Sequence, residues 1–104
     1  LLGPSGQNIY PEEIESKLNN LPYVLESVVI QRNNELIALV HPNFEALEQD
    51  NITESNINNI MEKNRQKLNS LNPAYCRVSA IEIYSEEFEK TPKKSIKRYL
   101  YTGL

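Results

Sequence analysis

Two runs rich in valine, isoleucine and leucine, Val24 to Arg32 and Glu35 to His41, flank the dipeptide Asn33-Asn34. Such side chains suit a pleated sheet, and asparagine tolerates the left-handed conformations of a two-residue turn, so the stretch predicts a β-hairpin. Helices are expected on either side of it. Pro11 suits a first helical position, Glu12, Glu13 and Glu15 lie where the helix dipole favours anions, and Ile14 and Leu18 share a face; Asn19, Asn20 and Pro22 stop the element. After a loop with a short helical turn over His41 to Asp50, Thr53 or Ser55 caps a longer helix reaching about Leu71. Its Ile57, Ile60, Met61, Leu68 and Leu71 follow helical spacing, Asn64 interrupts the stripe, and Asn72-Pro73 ends it. Val78 to Tyr84 alternates as a third strand, Ser85 to Pro92 is a loop, and Ser95 to Tyr101 is expected to form a terminal helix. The order α, β, β, α, β, α predicts an α+β fold, a small mixed β-sheet with one hairpin and packed helices.

The 104 residues, 39% of them hydrophobic, correspond to a single domain, residues 1–104. The longest apolar run, around Ile37 to Val40, is far shorter than the roughly 20 residues of a membrane helix, and no signal segment opens the chain, which points to a cytoplasmic protein. One cysteine, Cys76, and one histidine, His41, leave no disulfide and no metal-ligand cluster. Charge is unevenly placed. All 14 acids and six of the bases fall in residues 1–89, while residues 90–104 hold five bases and no acid. The chain also begins with Leu1 rather than Met, as expected of a piece whose preceding domain is absent.

Two segments at opposite ends carry a family resemblance. Gly6, Gln7, Asn8, Ile9, Tyr10, Pro11 and the acidic helix start, Glu12 to Glu15, follow the pattern after the interdomain hinge in adenylate-forming acyl-CoA synthetases, the AMP-binding ligases. Thr91-Pro92-Lys93-Lys94-Ser95-Ile96-Lys97-Arg98 follows the motif near their C-terminus. The chain thus resembles the mobile C-terminal lid domain of such enzymes, in particular the long-chain fatty acid CoA ligase type. The resemblance implies an acid-thiol ligase that activates a carboxylic acid with ATP and Mg2+ as the acyl-adenylate and then transfers the acyl group to CoA. The partners it implies are an N-terminal adenylation domain, absent here, which would hold most of the ATP, the acid and CoA. The isolated domain is expected to be inactive.

In that family a lysine occupies the place of Ser95, so the resemblance marks Lys94, Ser95 and Lys97 as candidate catalytic positions without choosing between the two lysines. An ammonium there can stabilise charge shared by the attacking carboxylate and the α-phosphate. From the residues alone, the cluster Lys90, Lys93, Lys94, Lys97 and Arg98 also reads as a solvated basic patch. At the other end, Gly3-Pro4-Ser5-Gly6 reads as a turn. The resemblance implies that Ser5, Gly6, Gln7 and Asn8 face the pantetheine of CoA, where glycine permits close approach to the main chain.

Other features read more simply. Glu86, Glu87 and Glu89 form a solvated loop, and His41 and Cys76 lack a signal for chemistry. Tyr99 and Tyr101 are expected to pack one helix face against the sheet rather than stack nucleobases. Two rivals remain from the sequence: a stand-alone binding module that uses the basic tail, disfavoured for nucleic acid by the net charge of −3, and another acid-activating ligase such as a phenylacetate-CoA ligase.

Overall fold

The computed structural model describes residues 1–3 and 5–102; Pro4 of the expected N-terminal turn lies outside them. The hairpin forms from β1 (Val24–Arg32) and β2 (Glu35–Pro42). Arg32 faces Glu35, and Asn33 and Asn34 take φ of 52° and 64°, two consecutive left-handed residues whose twist matches that of the strands. β3 (Val78–Ile83) lies parallel to β2, so the sheet is mixed, in the order β1-β2-β3. A parallel neighbour requires a crossover, supplied by α2 (Phe44–Gln49) and α3 (Glu54–Leu71), while α1 (Pro11–Leu18) packs on β1 from the N-terminal side.

Local chemistry explains the helix limits. Pro11 stands in the first turn of α1 with Glu12 and Glu13, and Lys17 stands in the last. Asn43 caps α2, its Oδ1 accepting the Ala46 N–H at 3.1 Å. Thr53 occupies the N-cap of α3, but its hydroxyl meets Ser55 Oγ at 3.0 Å and bonds no backbone N–H. Asn64 does not break the buried stripe of α3. It is buried within it, and its Nδ2 donates to Pro22 O at 2.9 Å, tying the helix to the turn before β1.

The five consecutive apolar residues Leu36 to Val40 follow from a sheet covered on both faces. Val29, Leu36, Ala38 and Val40 join Ile14, Leu18, Met61 and Leu68 on the helical face. Val28, Ile30, Ile37 and Leu39 join Phe88 and Tyr101 on the other, with Tyr84 and Ile96 at its margin. Among the described residues no α-helix covers this second face: the chain after β3 lies over it. The expected helix over Ser95 to Tyr101 is absent. Residues 90–97 fold back as a narrow loop with a bridge between Lys90 and Ile96, and only Arg98–Leu100 make a single 3-10 turn. Packing accounts for the difference, because Tyr101 must return to Phe88 and Tyr84 (ring centroids 5.0 and 5.6 Å apart) and Ile96 must also face the sheet. The expected shared face for Tyr99 and Tyr101 fails with it: Tyr101 is buried and Tyr99 is 71% exposed.

Candidate functional site

The loop carrying Lys94, Ser95 and Lys97 is a hairpin with a three-residue connection. The Lys94 N–H donates to Thr91 O at 2.8 Å, the Thr91 N–H to Ser95 O at 2.8 Å, and the Ser95 N–H to Thr91 Oγ1 at 3.3 Å. Pro92 presets the first turn position, and Lys94 takes φ of 66°, the left-handed corner that such three-residue loops place last. Glycine is usual at such a corner. From Ser95 the chain runs out extended, so with Ile96 turned to the sheet, Ser95 and Lys97 share the opposite side.

The five C-terminal bases do not form one cluster. Lys90 and Arg98, at the two feet of the loop, are paired with acids far back in the chain. Lys90 Nζ lies 2.8 Å from Glu26 Oε2 on β1, and Glu26 Oε1 also accepts the Phe88 N–H at 3.2 Å. Arg98 forks onto the carboxylate of Glu15 on α1, Nη2 donating to Oε1 at 2.8 Å and Nη1 to Oε2. The same two side chains take both backbone groups of Val29: its N–H donates to Glu15 Oε2 at 2.7 Å, and its carbonyl accepts from Arg98 Nη1 at 3.1 Å. β1 is an edge strand, and this pair satisfies edge groups that would otherwise be open to pairing. Bonding to Glu15 raises the pKa of the Arg98 guanidinium further, against the opposing effect of burial. The side-chain ammonium groups of Lys93, Lys94 and Lys97 have no hydrogen bond or ion pair among the described residues. Three uncompensated ammonium groups thus sit on a turn held at both feet. The separations of 64 and 83 residues explain why no local pattern in the sequence divided the anchors from the free charges.

The N-terminal candidates form a second small loop. Leu2 and Asn8 bridge, the Gly3 N–H donates to Gln7 O at 2.7 Å, and the Gly6 N–H to Gly3 O at 3.0 Å. Gln7 Oε1 accepts the Ser5 N–H at 3.1 Å, and Ser5, Gly6 and Asn8 are exposed. Gly6 has φ of 82°, and a Cβ there would meet nothing within 4 Å, so its main chain is open to an approaching group. A hollow of about 650 Å³ beside this loop is lined by Leu1, Leu2, Gly3, Gln31 and Asn34, and by none of the candidate residues. No hydrogen bond or ion pair joins the two loops among the described residues.

His41 is buried, with Nδ1 3.0 Å from Tyr84 O and its ring edge-on to Phe44, a structural placement. Burial raises the Cys76 thiol pKa, with Lys17 pulling the other way. Among the described residues no three or more His, Cys, Asp or Glu are grouped to hold a metal ion, and no helix is long and apolar enough to cross a membrane.

Residues 2–102 match the family model described as the AMP-binding enzyme C-terminal domain. No curated protein matches the chain. Among solved structures, the chain is similar in fold to part of the adenylation domain of a carboxylate reductase from Mycobacterium chelonae, with 16% identity and a TM-score of 0.80 over 96% of this chain and 17% of that one. A Brucella canis acyl-CoA synthetase gives 24% identity and a TM-score of 0.71 over 99% and 18%. A Mycobacterium tuberculosis fatty acyl CoA synthetase gives 18% and 0.69 over 99% and 19%. The chain thus spans under a fifth of the length of each. With an almost full-length family match over a mixed sheet, two helices on one face and a clamped basic loop on the other, the chain belongs to the AMP-binding enzyme C-terminal domain family.

Proposed function

We propose that this chain serves as the mobile C-terminal domain of an ATP-dependent ligase. That enzyme would activate a carboxylic acid, of the long-chain fatty type, as its acyl-adenylate and pass the acyl group to CoA. The observation that carries the reading is the turn at Thr91 to Lys97, held at both feet and presenting three unpaired ammonium groups. Closed against a preceding adenylation domain, such a turn brings positive charge to the carboxylate and α-phosphate as negative charge develops between them. Ser95 cannot supply that charge, and Lys97 shares its side of the chain, so Lys97 takes the role with Lys94 at the corner beside it. ATP phosphates suit these donors. Mg2+ has no ligand set among the described residues and is assigned no residue of this chain. In the second half-reaction the Ser5 to Asn8 loop, with the main chain of Gly6 open, lets the pantetheine arm pass close to the backbone.

The test uses the longer chain that carries this domain, with ATP–pyrophosphate exchange on dodecanoate and benzoate as acid probes. Lys97→Ala should slow adenylation by about 2–4 kcal/mol in the barrier and Lys94→Ala by less, while Ser95→Lys should raise the rate. Unchanged exchange in all three variants would remove the catalytic reading of the turn. Residues 1–104 alone should release no pyrophosphate from ATP.

A further inference from the structure

We infer that Arg98 is a positioning residue for the adenylation half-reaction: it sets where the turn at Thr91 to Lys97 points, acting through the chain rather than on the substrate. The inference rests on the reading of that turn given above. The guanidinium is occupied on several sides within the domain, by both oxygens of Glu15, by Val29 O, and by Glu12 Oε1 at 3.8 Å. It follows Lys97 directly in the chain. A bidentate fork fixes direction as well as distance, because a planar guanidinium meets a carboxylate in one orientation. Glu15 is itself fixed, since it accepts the Val29 N–H from the middle of β1. The path from rigid sheet to free lysine is therefore short: β1, Glu15, Arg98, Lys97. The other foot is held differently. Lys90 meets both oxygens of Glu26, at 2.8 and 3.2 Å, and Phe88 O at 3.1 Å from a single rotatable ammonium nitrogen, which restrains position without the fixed plane of a guanidinium fork.

Three variants in the longer chain separate orientation from charge and from folding. Arg98→Met keeps the apolar stem and removes the fork. Arg98→Lys keeps the charge and removes the fork. Glu15→Gln keeps an acceptor for Val29 and removes the ion pair. With ATP and dodecanoate, all three should lower kcat for pyrophosphate exchange by about 10- to 100-fold with the KM for ATP little changed, since a misdirected turn misplaces a charge needed in the transition state. Thioester formation from preformed dodecanoyl-adenylate and CoA should stay within about twofold of the parent, because that step does not use this turn. A readout independent of activity is trypsin cleavage after Lys93 and Lys94, which should quicken by about tenfold in Arg98→Met while cleavage after Lys63 and Lys67 in α3 does not change.

Full activity of Arg98→Lys would show that charge alone suffices and would overturn the positioning role. Equal losses in both half-reactions, or unchanged cleavage at Lys93 and Lys94, would overturn it as well. Unchanged exchange in Lys94→Ala and Lys97→Ala would instead sink the catalytic reading of the turn, leaving the cleavage result to report on the anchor by itself. Slowed exchange in the lysine variants with none in the Arg98 and Glu15 variants would refute this inference alone.

Discussion

The two faces of the β-sheet are covered by different means. On one, α1 and α3 lay down Ile14, Leu18, Met61 and Leu68, each placed by helical periodicity, against Val29, Ala38 and Val40. On the other, an irregular segment after β3 supplies a few large side chains, with the Phe88 ring centroid 5.1 Å from that of Tyr84 and 5.0 Å from that of Tyr101, and is tied by ion pairs to Glu26 on β1 and to Glu15 on α1. The first arrangement spreads burial over many residues. The second concentrates it on an aromatic group and two charged anchors, which leaves the intervening turn free to carry exposed lysines. A rigid patterned face and a pinned unpatterned face are thus divided between holding the fold and presenting charge.

The largest expected effect tests whether the second face belongs to the cooperative core. Phe88 is 2% exposed, so Phe88→Ala should destabilise the chain by about 3–5 kcal/mol, comparable to Leu68→Ala at about 2–5 kcal/mol. Urea unfolding followed by circular dichroism decides it. If Phe88→Ala left the helical transition where it was and loosened only the C-terminal segment, the two faces would be separate units and the comparison would break.

The anchor comes next. Glu15→Ala leaves a half-buried guanidinium with only Val29 O and the exposed Glu12 at 3.8 Å, and the Val29 N–H without its acceptor, for an expected loss of about 2–4 kcal/mol. Side-chain exposures of 29% for Arg98 and 11% for Glu15 keep it below the cost of a fully buried charge. In a double-mutant cycle with Arg98→Met, a coupling energy near zero would mean the pair holds nothing in place.

A third prediction gives the helical face its own reporter. Cys76 is buried in that face, and desolvation raises its thiol pKa, so less thiolate is present at pH 8 than in an unfolded chain. Labelling by a thiol reagent should be slower than for the urea-unfolded chain by about tenfold or more. Because the folded pKa is the higher one, this shift adds stability that is whole below the ordinary thiol pKa and is lost as pH rises through the raised value. Labelling as fast in Arg98→Met as in the unfolded chain would show that releasing one face opens the other.

What the sequence disclosed follows the same division. The hairpin, α1, α3 and β3 were legible because each is governed by near neighbours: Asn33-Asn34 at the turn, Pro11 and three glutamates at the start of α1, the apolar spacing of α3. The end motifs were legible through resemblance, and the family match over residues 2–102 agrees with them. The terminal helix expected from the sequence does not form because what shapes residues 90–101 lies elsewhere in the chain, at Glu15, Glu26 and Val29. The basic run reads as one patch in the sequence for the same reason, since nothing near Lys90 or Arg98 marks them as paired.

The smallest effect compares the two hairpin turns themselves. Both place a non-glycine residue at positive φ, Asn34 at 64° and Lys94 at 66°. Asparagine tolerates that region through its short polar side chain; lysine has no such help and bears most of the 1–2 kcal/mol that left-handed geometry costs an L-residue, by rough estimate. Glycine removes that cost but gives back about 0.5–1 kcal/mol in lost freedom of the unfolded chain. Lys94→Gly should therefore stabilise the domain by about 0.5–1 kcal/mol, and Asn34→Gly by less than about half of that. Lys94→Gly also removes one of the unpaired lysines, so if the corner lysine assists adenylation, the variant should gain stability and lose exchange rate together. A gain in both would mean the left-handed lysine is a flaw of the turn with no part in the reaction. A loss of stability on Lys94→Gly, measured by urea unfolding, would show that this side chain has a folded-state contact that offsets its strained backbone.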